Sequence, residues 1–168
     1  MLKIILAGFN GTWRKEIGSI LSERLGRKFF DIEQIIEERE KDRFIHIVQI
    51  KGIDYIRKLQ NQIVSEVASN EECIISITPD ILSDKKNRER FKSNGLIIWL
   101  TAELSIILLR LYPGKESKDL LKKKDALTQI RQMLKEQDFS NFADRIIDTS
   151  FLTPEEATDT IQKMLTIF

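Results

Sequence analysis

The sequence predicts an α/β protein, a doubly wound five-stranded parallel sheet with helices on both faces. Two observations predict this fold class. Apolar runs of strand length alternate along the chain with segments that have the spacing of amphipathic helices. The runs are also hydrophobic at consecutive positions, which is typical of buried parallel strands rather than of half-exposed hairpins. Such alternation gives a parallel sheet covered on both sides.

Five apolar runs are the strand candidates. They are residues 2–6, 28–30, 73–77, 96–100 and 145–147. The first run leads into the glycine-containing stretch AGFNGTWRKEIGSIL, residues 7–21, which opens a helical pattern. We expect the first strand to end at Gly8 and Trp13 to lie where the loop meets the first helix.

Seven segments have helical patterns. In residues 53–68, one helix face is formed at three- and four-residue steps by Ile53, Ile56, Leu59, Ile63 and Val67. The predicted helices are residues 16–25, 32–40, 53–68, 88–92, 102–111, 126–136 and 154–164.

Two helix starts have capping signals. Thr153 precedes Pro154, which suits a first helical position, and Glu156 stands where a capping box places its acid. Thr101, before Ala102, is expected to cap the helix that begins there.

The stretch YPGKESKDLLKKKDAL, residues 112–127, differs from the rest of the chain. It is basic, begins with a Pro-Gly turn and follows a strongly apolar helix. Two interpretations stay open: a mobile lid over a site, at about residues 112–125, or a solvated loop that enters the next helix. Residues 1–168 otherwise read as a single domain.

Composition excludes several classes of function. The chain has 168 residues, 42% hydrophobic and 32% charged, with a formal net charge of +1, which gives no electrostatic case for a nucleic-acid partner. Cys73 is the single cysteine, so no disulfide within the chain is expected. No run approaches the roughly 20 apolar residues that cross a bilayer, and we expect a cytoplasmic protein with no membrane partner.

Several strings, in this order and separation, resemble the shikimate kinase family of phosphate-loop (P-loop) small-molecule kinases. They are IILAGFNG, FFDIEQIIE, KGIDYIRKLQ, NGLIIWLTAELSIILLRL and FADRIIDTSFLTPEEATDTI, which together span nearly the whole chain. The resemblance implies transfer of the ATP γ-phosphoryl group to a hydroxyl of shikimate, with Mg²⁺ and a closing lid. Such chemistry depends on positioning and charge neutralisation.

The resemblance assigns nucleotide binding to six residues. They are Gly8, Asn10, Gly11 and Thr12 in the loop, and Arg110 and Pro154, which match positions that sandwich adenine in relatives. For Arg110 a charge at a helix end stays an alternative, as does a first helical residue for Pro154.

Three residues of the loop depart from the family pattern, which is G-x-x-x-x-G-K-[ST]. Trp13 replaces the glycine that lets backbone N–H groups approach the phosphates, and a left-handed backbone there would be strained. Arg14 replaces the lysine that reaches the phosphates, and Lys15 replaces a Mg²⁺-binding hydroxyl, although an ammonium cannot ligate a metal. Arg14 and Lys15 are the catalytic candidates in the loop.

Asp31-Ile32-Glu33 corresponds to an Asp-x-Asp motif of the family. By resemblance, Asp31 serves the metal shell as a catalytic residue, and Glu33, longer by one methylene, contacts a substrate hydroxyl. The alternative for Asp31 is a helix N-cap, with Gln34 at the capping-box position.

Three further cations match substrate or lid positions. Arg57 aligns with an arginine that pairs with the substrate carboxylate, although a surface charge is the alternative. Lys118 replaces a catalytic lid arginine, and Lys135 replaces a second substrate-binding arginine, so both keep the charge and lose the planar fork.

The glycine triplet that follows the third strand in the family is also absent. Thr78-Pro79-Asp80 stands there, and Pro79 removes a backbone donor. Asp80 reads either as a replacement metal-site acid or as a turn aspartate.

These losses predict a shikimate-kinase-like protein that is catalytically impaired or inactive and acts as a ligand-binding or regulatory module. The alternatives are an active ATP-dependent kinase for shikimate or a similar hydroxy acid, and a scaffold without a ligand. No cofactor is assigned firmly; ATP and Mg²⁺ are expected if the protein is active. A small carboxylate-bearing ligand is the predicted partner, no residue is assigned as a metal ligand, and the oligomeric state stays open.

Overall fold

The computed structural model describes residues 2–167. Five strands form one sheet in the order β2-β3-β1-β4-β5, and every neighbouring pair is parallel. The strands are β1 (Lys3–Gly8), β2 (Phe29–Asp31), β3 (Ile74–Ile77), β4 (Gly95–Thr101) and β5 (Arg145–Asp148). The predicted fold class is therefore confirmed.

Helices connect the strands and cover both faces of the sheet. They are α1 (Arg14–Leu25), α2 (Ile32–Glu40), α3 (Phe44–Lys51), α4 (Ile53–Val67), α5 (Lys85–Lys92), α6 (Leu104–Leu111), α7 (Lys115–Lys122), α8 (Lys124–Glu136) and α9 (Pro154–Leu165). Short 3₁₀ helices cover Pro79–Ser83 and Ser140–Phe142.

The central strand β1 separates two hydrophobic cores. Successive side chains of a strand point to opposite faces. Ile5 therefore packs with side chains from α2 to α5, whereas Ile4 and Leu6 pack with those from α1 and α9. All three are fully buried, and burying each contributes roughly 1.5–3 kcal/mol. This burial fixes β1 and the position where its loop begins.

Two helices were not predicted. Helix α3 has the sequence FIHIVQIK, in which apolar and β-branched residues show no clear helical face, and only Ile47 is buried. Helix α7 lies inside residues 112–125, the segment with the open lid interpretation. That segment is thus helical in part, and its role as a lid stays a prediction.

Two of the three capping expectations are confirmed. The Thr153 hydroxyl accepts from the Glu156 N–H at 3.2 Å, and the Glu156 carboxylate accepts from the Thr153 N–H at 2.9 Å. Asp31 accepts from the Gln34 N–H at 2.8 Å. The prediction for Thr101 was wrong, because Thr101 ends β4 opposite Asp148 and the residue that flanks α6 is Glu103.

Helices of residues 2–167 are all too short or too polar to cross a membrane.

The strand ends position the site. In a parallel sheet the carboxyl ends of the strands share one edge, where ligands bind in open α/β folds. Gly8, Asp31 and Ile77 end neighbouring strands at that edge, so the loops that follow them meet there.

Candidate nucleotide and substrate site

The loop between β1 and α1 keeps glycines at positions 8 and 11 but has a tryptophan immediately before helix α1. Trp13 stands at the loop–helix junction, as predicted, with φ 64° and ψ 20°. This left-handed conformation costs a non-glycine residue roughly 1–2 kcal/mol. Gly11 has φ 87°. At Gly8 an added Cβ would lie 2.5 Å from the Leu100 carbonyl oxygen, so only glycine fits there.

The Trp13 ring packs under Arg110. The Arg110 guanidinium carbon lies 4.6 Å from the ring centroid, within the range of a cation–π contact. Arg110 also donates to the Gly11 carbonyl at 2.9 Å and to the Thr149 carbonyl at 2.5 Å. Burial lowers the pKa of Arg110, and nearby Asp148 partly opposes this shift. Arg110, which the sequence predicts to bind nucleotide, is therefore already bonded to groups of the protein.

Arg14 does not extend into open space. Its residue exposure is 3%, and its Nη1 donates to the carbonyls of Gly8 at 2.7 Å and Ile77 at 2.8 Å. Nη2 donates to Asn10 Oδ1 at 3.2 Å. Desolvation lowers the pKa of Arg14, and the charges of Asp31, among others, oppose that shift. Arg14 thus ties the end of β1 to the end of β3.

Lys15 lies between the two acids of the second motif. Its Nζ is 3.2 Å from Glu33 Oε1 and 3.8 Å from Asp31 Oδ1. The Asp31 side chain is 1% exposed, and its Oδ2 has no partner among the described residues. An ammonium in this position neutralises the acids, so the donor set does not fit Mg²⁺.

The remaining predicted nucleotide-binding residues have structural partners or lie apart. Thr12 is buried, and its hydroxyl donates to the Phe9 carbonyl at 2.7 Å. Asn10 is an exposed residue of the loop that lines both cavities described below and accepts from Arg14 Nη2. Pro154 is the first residue of α9 and does not line either of the cavities described below.

Three predicted cations lie away from the loop. Arg57, Lys118 and Lys135 are exposed, and none of them lines either cavity. The Arg57 Nη1 is 3.9 Å from Asp54 Oδ1 on the same helix. The structure therefore brings Arg14, Lys15 and Arg110 together but not these three residues, whose roles stay predictions.

Two cavities open at this edge of the sheet. The small cavity, of about 240 Å³, is lined by residues 9–11 and 13 of the loop, residues 14–16 of α1, and Glu33, Arg110 and Leu111. The large cavity, of about 690 Å³, lies between the loop, residues 78–80 and parts of α2, α3, α6 and α8. Asp80 lines the large cavity and accepts from Gln60 Nε2 at 3.0 Å.

Sequence reasoning missed the helical walls of the large cavity. Phe44 and Ile45 come from α3, while Ile130, Met133, Leu134 and Gln137 come from α8 or its end. The signal for α8 was present, since these four positions follow the i, i+3, i+4, i+7 spacing of a helix face.

The sheet order and the loop after β1 define a P-loop kinase-like α/β protein. A sequence model of the family described as shikimate kinase matches residues 11–166, and the chain belongs to this family. A shikimate kinase of Sulfurihydrogenibium is 31% identical over 137 residues, which cover 82% of this chain and 81% of the relative. A shikimate kinase of Caldanaerobacter subterraneus is 29% identical over 162 residues, covering 96% and 94%.

Solved structures give the same fold. Shikimate kinase from Acinetobacter baumannii in complex with shikimate matches with a TM-score of 0.85 at 23% identity, covering 99% of this chain and 93% of that one. Shikimate kinase from Aquifex aeolicus matches with a TM-score of 0.82 at 25% identity, covering 98% and 96%.

Proposed function

We propose that this chain is a shikimate-kinase-like protein in which phosphoryl transfer is impaired and a pocket at the sheet edge serves ligand binding or regulation. One observation carries the proposal. Both cationic side chains of the loop, Arg14 and Lys15, are already bonded to groups of the same chain.

Arg14 would have to leave its partners to reach a phosphate. The carbonyls of Gly8 and Ile77 would then lose a buried donor, and a buried unsatisfied group costs roughly 1–3 kcal/mol. A phosphate bound at the loop must offset this cost before it gains anything from the guanidinium.

Lys15 opposes the metal that phosphoryl transfer needs. Mg²⁺ requires oxygen ligands, and it bridges phosphate oxygens while it neutralises developing charge. Here an ammonium stands 3.2 Å from the Glu33 carboxylate, in the place of a hydroxyl. A cation fixed at this point repels Mg²⁺ from the acid pair.

Trp13 restricts the space beside the loop. The small cavity of about 240 Å³ is below the roughly 300–1,000 Å³ of ordinary ligand pockets. The indole lines this cavity and stacks with Arg110, so a base that binds against Arg110 has to displace it.

An active kinase is the second candidate, and one observation favours it. Helix α1 begins at the small cavity without a side-chain cap, and open N–H groups at a helix start are suited to an anion. In that case the protein uses ATP and Mg²⁺ and phosphorylates shikimate or a similar hydroxy acid. The predicted small carboxylate-bearing ligand is supported by the shikimate complex of the Acinetobacter relative.

A coupled assay for ADP release tests the proposal. The unmodified protein is mixed with ATP and shikimate, with and without Mg²⁺, and we expect negligible turnover in both. The matched control is the triple variant Trp13→Gly, Arg14→Lys and Lys15→Ser, checked for folding by thermal unfolding. It should bind nucleotide better than the unmodified protein while gaining little turnover, because residues 78–80 still lack the glycines. Robust Mg²⁺-dependent turnover by the unmodified protein would establish the active kinase instead.

A further inference from the structure

The Arg14 side chain joins β1 and β3 at the point where their backbone pairing ends. That pairing ends at Ala7 and Ile77. Beyond it, Arg14 Nη1 donates to the carbonyls of Gly8 at 2.7 Å and Ile77 at 2.8 Å, and both contacts are buried. Hydrogen bonds from a charged donor are roughly twice as strong as neutral ones. Arg14 therefore holds the last residue of β3 in place of a further backbone hydrogen bond.

The residues that follow β3, residues 78–80, form one wall of the large cavity. A peptide group is planar, so fixing the Ile77 carbonyl also fixes the direction in which the chain enters Thr78. Within the wall, the Ile81 N–H donates to the Thr78 carbonyl at 3.2 Å. The buried Thr78 Oγ1 has no partner among residues 2–167, so it adds no hydrogen bond that would hold the wall. The position of the wall therefore depends on the bond from Arg14 to Ile77.

Arg14 has two further links to the large cavity, although its own side chain does not line that cavity. Nη2 donates to Oδ1 of Asn10, a loop residue that lines both cavities. Burial lowers the pKa of Arg14, and the charges of Asp31 and Asp80, among others, oppose this shift. Asp80 in the wall thus attracts the guanidinium. One buried side chain is connected both to the loop and to the segment after β3.

We propose that Arg14 is a positioning residue for the ligand of the large cavity: it bonds the end of β3 and thereby fixes the wall formed by residues 78–80. A guanidinium is suited to this task, since its planar fork directs several donors at fixed angles. The inference rests on the proposed ligand-binding function. It adds that the cation of the loop motif shapes the neighbouring pocket through the backbone, without contact with the ligand.

Amide hydrogen exchange, measured by NMR without a ligand, tests the effect on the wall. Exchange of a local amide reports the opening of its own segment rather than global unfolding. The matched control is Ile161→Ala, which empties a fully buried position in the other core and so lowers global stability. The Ile81 amide should exchange roughly tenfold faster in Arg14→Met than in this control, the effect of about one charged hydrogen bond. Equal exchange of Ile81 in the two variants overturns the proposal.

Calorimetry with shikimate tests the consequence for binding. Arg14→Met should bind shikimate roughly tenfold more weakly than the unmodified protein, whereas Ile161→Ala should keep its affinity. Arg14→Lys keeps the positive charge and loses the planar fork, so it separates positioning from long-range attraction of the carboxylate. We expect Arg14→Lys to bind severalfold more weakly. Full affinity in Arg14→Lys with a loss in Arg14→Met would assign the effect to charge and overturn the proposal.

Arg14→Lys also takes the place of Arg14→Met in the exchange experiment if Arg14→Met does not fold. An ammonium can donate to a carbonyl, but it lacks the second nitrogen that reaches Asn10. Ile81 should therefore still exchange severalfold faster than in the unmodified protein. Thermal unfolding of each variant shows that the folded protein is being measured. Exchange of Ile81 at the unmodified rate in every folded Arg14 variant contradicts the proposal.

Failure of this inference is distinguishable from failure of the proposed function. The exchange experiment needs no ligand, so an unchanged Ile81 amide overturns the role of Arg14 alone. Turnover in the ADP-release assay overturns the impaired-kinase proposal alone. Absence of shikimate binding to the unmodified protein contradicts the predicted carboxylate-bearing ligand, while the exchange of Ile81 still decides whether Arg14 fixes the wall.

Discussion

The small and large cavities open at the same edge of the sheet, but the charged side chains beside them have different kinds of partner within the protein. At the small cavity, Arg14, Lys15 and Arg110 are all bonded to groups of the protein. At the large cavity, Glu37 accepts a hydrogen bond from the Phe44 N–H, and Asp80 accepts one from the Gln60 amide. The difference shows that the cations beside the small cavity are satisfied within the chain, whereas the large cavity keeps an open volume of about 690 Å³.

Replacing Arg14 is the strongest way to break this comparison. Arg14→Met keeps an unbranched chain but leaves the Gly8 and Ile77 carbonyls without their donor. We expect the free energy of unfolding to fall by roughly 1–3 kcal/mol for each carbonyl that loses its donor. Urea denaturation measures the change. Arg57→Met, at an exposed arginine, is the control and should stay within about 0.5 kcal/mol. A loss below about 1 kcal/mol in Arg14→Met would show that the guanidinium is not needed inside the loop.

Removing the Lys15 ammonium tests this comparison at the small cavity, because it takes the cation away from the Asp31 and Glu33 carboxylates. The Lys15 side chain is 40% exposed, so Lys15→Ser should cost at most about 1 kcal/mol in water. The freed Asp31 and Glu33 carboxylates, with the new hydroxyl, should then bind Mg²⁺ and raise the melting temperature in its presence.

The control for this experiment is Lys58→Ser, at an exposed lysine of α4. Neither Lys58→Ser nor the unmodified protein should respond to Mg²⁺ beyond the effect of ionic strength. An equal Mg²⁺ response in the unmodified protein would mean that Lys15 does not block the acid pair.

The smallest expected effect concerns Asp148, which stands at the end of β5 near Arg110. Hydrogen bonds from the Ser150 hydroxyl and the Ser150 N–H lower the pKa of Asp148. A depressed pKa in the folded state stabilises the fold above the unfolded value of about 3.9, and this contribution is lost as the pH falls through the folded value.

Ser150→Ala removes the hydroxyl, so the pKa of Asp148 should rise toward its ordinary value. Titration by NMR measures this pKa, and the variant should lose less stability than the unmodified protein between pH 5 and pH 3. An unchanged pKa in the variant would mean that the N–H alone holds the carboxylate.

The sequence was informative where a local rule decides the structure. The apolar runs predicted all five strands, and the residues around Thr153 predicted a capping box, because these features depend on neighbours within a few residues. The strained position of Trp13 followed from the glycine that it replaces. Helix α3 escaped prediction because it is short and its apolar residues form no distinct face.

The sequence did not predict which groups the side chains of Arg14 and Lys15 contact. Arg14 and Lys15 were expected to face phosphates, since their positions in the motif imply this. Arg14 instead bonds the carbonyl of Ile77, 63 residues away, and Lys15 bonds Glu33, 18 residues away. Contacts of such separation depend on how the strands assemble, and no local pattern encodes them.

The bond from Arg14 to Ile77 also constrains how this protein can change through mutation. Reverting position 14 to lysine alone removes the guanidinium fork from two carbonyls, while Lys15 still occupies the acid pair and Trp13 still narrows the loop. Substitutions in one contact network do not add independently, so the effect of changing all three positions is not the sum of the three single effects. A return of this loop to the G-x-x-x-x-G-K-[ST] pattern therefore requires coordinated changes at positions 13, 14 and 15 rather than one substitution.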